Sequence, residues 1–274
     1  MKKCYCLTLD DNIRFLEEAC RRNERSLFDT AYLAMLRRLH GRFGCKVQLN
    51  VFFSDRPGSF SLADVPGRYR PELEESSQWL KLSFHARHND PPFPYAAGGG
   101  ALLADYLDVL RELARIAGPS ALARTTTLHY AAATQKDCSL LRRFGVQGLI
   151  GMFYDSAGRE GLHYYLPPAI WPALRRGEFY LDPQTDLFFA HNDLILNQIP
   201  CDEIPSHLAR LNGEVMRCAR AGFLQLMTHE QYFYPNYFAY QPDFEKKLCV
   251  ALEYLRAENY VSVFLEECFP LANG

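Results

Sequence analysis

Five apolar runs of the 274-residue chain end in groups that could bind a metal ion or move a proton. Cys4–Leu9 leads into Asp10 and Asp11, Trp79–Phe84 into His85, Thr125–Leu128 into His129, Leu187–Ala190 into His191, and Phe223–Met227 into Thr228, His229 and Glu230. Adjacent carboxylates at a strand end point in different directions, so one can hold a cation while its neighbour takes a proton from water. Their bland role is to cap the helix that begins near Ile13. Imidazole is the commonest protein metal ligand, and two imidazoles with a carboxylate leave positions open for water and substrate, as hydrolysis requires. Ser83–Asp90 offers such a pair in His85 and His88, and Pro91, Pro92 and Pro94 stiffen the loop that follows through their fixed φ. Thr228–Pro235 offers His229 and Glu230 and then a loop rich in rings, including Tyr232, Tyr237 and Tyr240. Rings with polar tips suit a ligand that has apolar and hydroxylated sides, such as a sugar. Any one of these histidines could simply close a strand, and the rings could pack as core; five strand ends together favour a site.

These groups need elements that bring them to one place. Each run has strand length and β-rich composition and is followed, directly or after an insertion, by a helical pattern. Helices are expected around 29–42, 101–117, 137–144, 203–219 and 243–258, with further strands at 46–53, 146–153 and 260–265. About seven or eight β-α units imply a mostly parallel sheet, closed or nearly closed as an irregular (β/α)7-8 barrel, with an open doubly wound sheet as the alternative. In either fold the carboxyl ends of parallel strands share one rim, where ligands bind. Two segments interrupt the alternation, 55–75 and 154–186. The second, rich in aromatic residues, is expected to be an ordered insertion acting as a lid or substrate wall.

Composition sets the frame: a chain of this length fits a single barrel domain, 1–274. The formal net charge is −2 and the arginine pairs are scattered, so neither nucleic acid nor a membrane is an expected partner. Nine cysteines without a C-x-x-C pair indicate neither a disulfide framework nor a structural zinc site. Cys4 and Cys6, two apart on a strand, read as core. With a strand starting at Cys4 and no apolar span of membrane length, a reduced cytoplasmic setting is expected.

Asp10-Asp11 after an apolar strand, a histidine loop after the third strand, and a late strand ending Leu-x-x-x-His resemble the polysaccharide deacetylase (NodB-homology) superfamily across nearly the whole chain. The resemblance implies a metal-dependent hydrolase, with zinc the expected ion, that removes an acetyl group from an acylated sugar. It makes Asp10 the general base, Asp11 and His85 metal ligands and His229 the general acid, and places a tyrosine-bearing fourth-strand motif near His129-Tyr130. The family's second histidine usually stands four residues after the first, whereas here position 89 is Asn and His88 is the nearest candidate. Either His88 binds, or another rim residue such as His129 or His229 completes the site, or no metal is held. His129, Tyr130, Glu230 and Tyr232 are the expected substrate contacts. The other class of reading is a carbohydrate-binding or structural relative that has lost its metal.

Overall fold

The computed structural model describes residues 3–153, 163–176, 178–217 and 222–269. β1 (Cys4–Asn12) alternates faces: Tyr5, Leu7 and Leu9 pack into the main core, while Cys6 joins a separate small cluster. α1 (Arg14–Arg21) buries Phe15, Leu16 and Ala19. α2 (Ala31–Phe43) starts where Thr30 Oγ1 accepts from the Leu33 N–H and stops at Gly44, whose φ of 66° suits a residue without Cβ. β2 (Val47–Phe52) is buried throughout. The 55–75 interruption is made of tight turns and α3 (Arg70–Glu75), and leads into β3 (Leu80–Ala86). α4 (Ala101–Ala117) is followed by β4 (Thr125–Thr126), α5 (Gln135–Arg143) and β5 (Gly148–Gly151). Then come α6 (Trp171–Arg175), β6 (Tyr180–Asp182), β7 (Leu187–His191), β8 (Leu194–Ile195), α7 (Ile204–Arg217), β9 (Phe223–His229), α8 (Phe244–Ala257) and β10 (Val261–Ser262).

Two sheets carry the order β3-β2-β1-β9-β8 and β4-β5-β7-β6, with β10 added to β1. Every pairing is parallel except β6 with β7. Taken around the ring, the strands follow chain order from β1 through β5 to β7, β8 and β9 and back to β1, which is an irregular barrel with two seams. At the β3/β4 seam the Ala123 N–H donates to Leu82 O at 2.9 Å, Ser83 Oγ donates to Thr125 O at 2.8 Å, and the Thr126 hydroxyl reaches Phe84 O. Between β7 and β8 the chain itself makes the step, the Asn192 N–H donating to Gly151 O at the end of β5 and the Asp193 N–H to Gln225 O of β9, both at 2.9 Å, while β6 lies on the edge of β7.

The main core lies between strands and helices, and a small one of Cys6, Ile150, Ala190, Phe223 and Leu265 lies where the chain's last described residues meet the start of β1. The expected strand over 260–265 is only two residues long, because the chain turns at Leu265–Glu267 to cover this inner cluster. At the end of the second insertion, β6 runs antiparallel to β7; residues 154–162, with Gly158 and Gly161, fall outside the described residues. No described helix is long and apolar enough to cross a membrane.

Candidate metal centre and hydrolytic site

Two bulges put the chemistry at the carboxyl rim. Along β1 and β2, Leu9 pairs with Leu49 and Asn12 with Val51, so Asp10 and Asp11 together face the single residue Asn50. Along β2 and β3, Val51 pairs with Phe84 and Phe52 with Ala86, which leaves His85 as the extra residue. An extra residue breaks strict alternation and re-aims its side chain. Asp11 also takes a positive φ of 62°, a conformation that a short polar side chain tolerates better than most. Both carboxylates are thereby kept at the rim and buried. His129 comes from the turn after β4, where Tyr130 and Ala131 also have positive φ, 60° and 46°. Backbone strain of this kind collects at functional sites.

Asp11, His85 and His129 form the one group of potential ligands, among the described residues, whose donor atoms lie within a single ion's reach. His85 Nε2 is 3.0 Å from Asp11 Oδ1, His129 Nδ1 is 3.6 Å from the same oxygen, and the two nitrogens are 3.1 Å apart. Ligands on a tetrahedron with bonds of about 2.0–2.1 Å sit about 3.3 Å from one another. The far nitrogen of each ring faces a carbonyl, which can only accept: His85 Nδ1 meets Thr127 O at 2.5 Å and His129 Nε2 meets Asn89 O at 2.8 Å. Each ring therefore keeps a proton on its outer nitrogen and turns the other nitrogen inward, the arrangement that orients metal-bound histidines. Asp11 Oδ1 is buried and accepts no well-formed hydrogen bond, while Oδ2 accepts from Gln231 Nε2 at 2.6 Å. Such a triangle of acceptors requires positive charge at its centre; a proton on His85 supplies part of it, and a divalent cation suits all three atoms.

The electrostatics agree with this geometry. Burial opposes the charge of Asp11, but His85, His229 and His129 outweigh it and hold the carboxyl well below the usual range. Burial also opposes a charged His85, yet the Asp10 and Asp11 carboxylates win and raise it. Burial, with the neighbouring His85 charge, lowers His129 to about 4, so this ring is neutral near pH 7. Burial raises Asp10 above the ordinary carboxylate range despite His85 and His229. Asn50 Nδ2 donates to Asp10 Oδ1 at 2.6 Å, and Asp10 stands opposite His229 in the β1/β9 register. His229 Nδ1 faces Asn197 Oδ1 at 2.9 Å.

The remaining expected site residues have other placements. His88 stands outside the ligand group, with Nδ1 at 2.8 Å from Ser54 Oγ. Its segment continues pairing beyond β2, through Ser54 N to Arg87 O and Asn89 N to Asp55 O, which directs the ring to the neighbouring loop. The third candidate ligand is instead His129, which the sequence places among the substrate contacts and also leaves open, with His229, as an alternative ligand. Glu230 is also not at the site: fully buried, it accepts from the backbone N–H groups of Ile13, Arg14 and Phe15 at 2.7, 2.9 and 2.7 Å. Burial pushes its carboxyl up to about 7 against those three bonds. Tyr130 is 38% exposed beside His129, and Tyr232 lies 5.9 Å from the His229 ring, so both border the mouth. His191 is separate, bordering a cavity of about 670 Å³ with Arg175, Asp193 and residues of α7. Asn50, Asn197 and Gln231 were missed. For Asn50 a signal existed, since Gln48 and Asn50 are the polar alternates of an otherwise apolar strand.

No protein-family model matches the chain, and no curated protein matches it. Among solved structures, 4-alpha-glucanotransferase from Thermococcus litoralis aligns over 97% of this chain with a TM-score of 0.59 and 14% identity. The chain spans only 40% of the length of that protein. Puue allantoinase aligns over 96% of this chain and 87% of its own, with a TM-score of 0.53 and 9% identity. The Bc1960 peptidoglycan N-acetylglucosamine deacetylase aligns over 98% and 88%, with a TM-score of 0.52 and 9% identity. Likeness at such identity speaks for the fold. In fold, the chain is similar to these three structures, the peptidoglycan N-acetylglucosamine deacetylase and the allantoinase among them over nearly their whole length.

Proposed function

We propose that the protein is a metal-dependent hydrolase that removes an acyl group, acetyl foremost, from a sugar or sugar-like substrate. The observation that carries this reading is the triangle of Asp11 Oδ1, His85 Nε2 and His129 Nδ1, with both imidazoles fixed from behind by backbone carbonyls. One oxygen and two imidazole nitrogens suit Zn2+ among the divalent ions. A cation held there supplies Lewis acidity towards an acyl carbonyl and a water molecule. Asp10, held by Asn50 and placed next to Asp11, accepts the proton of the attacking water. The Asn197 carbonyl oxygen keeps the proton on His229 Nδ1, so Nε2 is the atom that protonates the departing amine or alkoxide. A base and an acid on two different strands meet the needs of amide or ester hydrolysis. Tyr130 with Phe93 on one side, and Tyr232 with Tyr237 on the other, offer ring faces for a sugar.

Metal content of untagged protein purified without chelator, followed by acetate release from N- and O-acetylated saccharides and nucleotide sugars, tests the reading. It expects one divalent ion per chain and release from at least one substrate. Absence of bound metal after zinc is added, with sugar binding retained, would move the assignment to a binding protein.

A further inference from the structure

We infer that Gln48 and Asn50 are positioning residues that fix which way the Asp10 carboxylate is held, and that the direction is set by a main-chain carbonyl on the far side of the barrel seam. Gln48 Nε2 lies 2.8 Å from Thr125 O, and a carbonyl only accepts, so the Gln48 amide must present its NH2 group there. Its Oε1 consequently faces Thr125 Oγ1, which donates at 3.0 Å. The second Nε2 proton points to Asn50 at 2.8 Å, so Asn50 must present Oδ1 to it. Asn50 is then obliged to turn Nδ2 towards Asp10 Oδ1, at 2.6 Å. The amide flips of both side chains follow from a fixed acceptor on β4 and need no separate assignment. All members are buried: Gln48 is 2% exposed and Asn50 and Thr125 are 0%. A reversed link would therefore bring carbonyl oxygen against carboxylate with no water to intervene. The chain also ties β2 to β4 across β3, at the seam where the sheet ladder is broken.

The role of Asp10 rests on the proposed hydrolysis; the direction of the hydrogen-bond chain does not. Gln48→Glu is nearly isosteric and replaces the donor by an acceptor, which forces Asn50 to turn its NH2 to position 48 and its oxygen to Asp10. Gln48→Met keeps the volume and leaves Asn50 free to choose. With an active acetylated substrate, the expected result is a fall in kcat of about 10- to 100-fold for Gln48→Glu with KM and metal content unchanged, and a smaller fall for Gln48→Met. The second readout is independent of activity. In two-dimensional NMR of the 15N-labelled protein, the Asn50 side-chain NH2 should be protected from solvent exchange in wild type and shift strongly in Gln48→Glu. An Asn50 NH2 signal unchanged by Gln48→Glu overturns the inference even if no substrate is ever hydrolysed. An unchanged kcat in an active enzyme overturns the positioning role while leaving the hydrolase assignment in place.

Discussion

At the scale of single residues, the three inward-facing acceptors at the rim make distinct predictions from those made by charge or proximity alone. Asp11→Ala, His85→Ala and His129→Ala should each lose the bound divalent ion, read by elemental analysis, while far-UV circular dichroism stays native. His88→Ala should retain the full complement, because that ring is engaged with Ser54. Loss of the ion from His88→Ala, with retention in His129→Ala, would sink the ligand set. Asp10→Asn should keep the ion and lower turnover by about 10²–10⁴-fold, the usual cost of losing a general base. Metal binding should also depend on pH in a defined direction. Histidine binds metal only as the neutral ring, and His129, held near 4, is already neutral in the physiological range. His85 is raised by Asp10 and Asp11, so affinity should rise with pH as His85 gives up its proton, and fall on acidification. A titration by calorimetry at several pH values checks the sign; an affinity flat from pH 5 to 8 contradicts it.

At the scale of elements, two bulges and one cap explain why the rim is built as it is. Strict alternation would send Asp10 and Asp11 to opposite faces of β1; two residues facing Asn50 allow both to serve one site. Glu230 serves the element that follows rather than the site. Its carboxylate accepts three N–H groups where the chain leaves β1 and enters α1, which joins the ends of β9 and β1 beneath the site. Buried donors left without a partner cost about 1–3 kcal/mol each. Glu230→Ala should therefore lower stability by about 3 kcal/mol or more in urea unfolding while metal content per folded molecule is unchanged. A neutral result would mean that water replaces the carboxylate freely, and that the helix start is more open than its burial implies.

At the scale of the whole molecule, the site sits on a barrel whose apolar cores are built without the ligand side chains, with Phe52 linking the main core to His85 and His129, so the ion should stabilise the fold without creating it. A ligand present at 100 times its dissociation constant adds about 2.7 kcal/mol. At about 2–4 °C per kcal/mol for a chain near this size, chelation should lower Tm by about 5–10 °C and leave a cooperative transition; collapse of the fold on chelation would show the metal to be structural. Much of this organisation is legible in sequence because it is local. Strand composition and helical periodicity give the β-α alternation, and α4 lies at the expected residues 101–117. Apolar runs ending in Asp10, Asp11, His85, His129 and His229 mark the rim, since parallel strands align their carboxyl ends. What only the tertiary structure decided is which of those groups meet. His88 is three residues from His85 and His129 is 44, yet His129 shares the triangle, because pairing register and a bulge, neither of them a local property, set side-chain direction. Glu230 differs from His229 by one position and is turned beneath the rim for the same reason: the backbone N–H groups that claim it belong to a helix more than two hundred residues away in the chain.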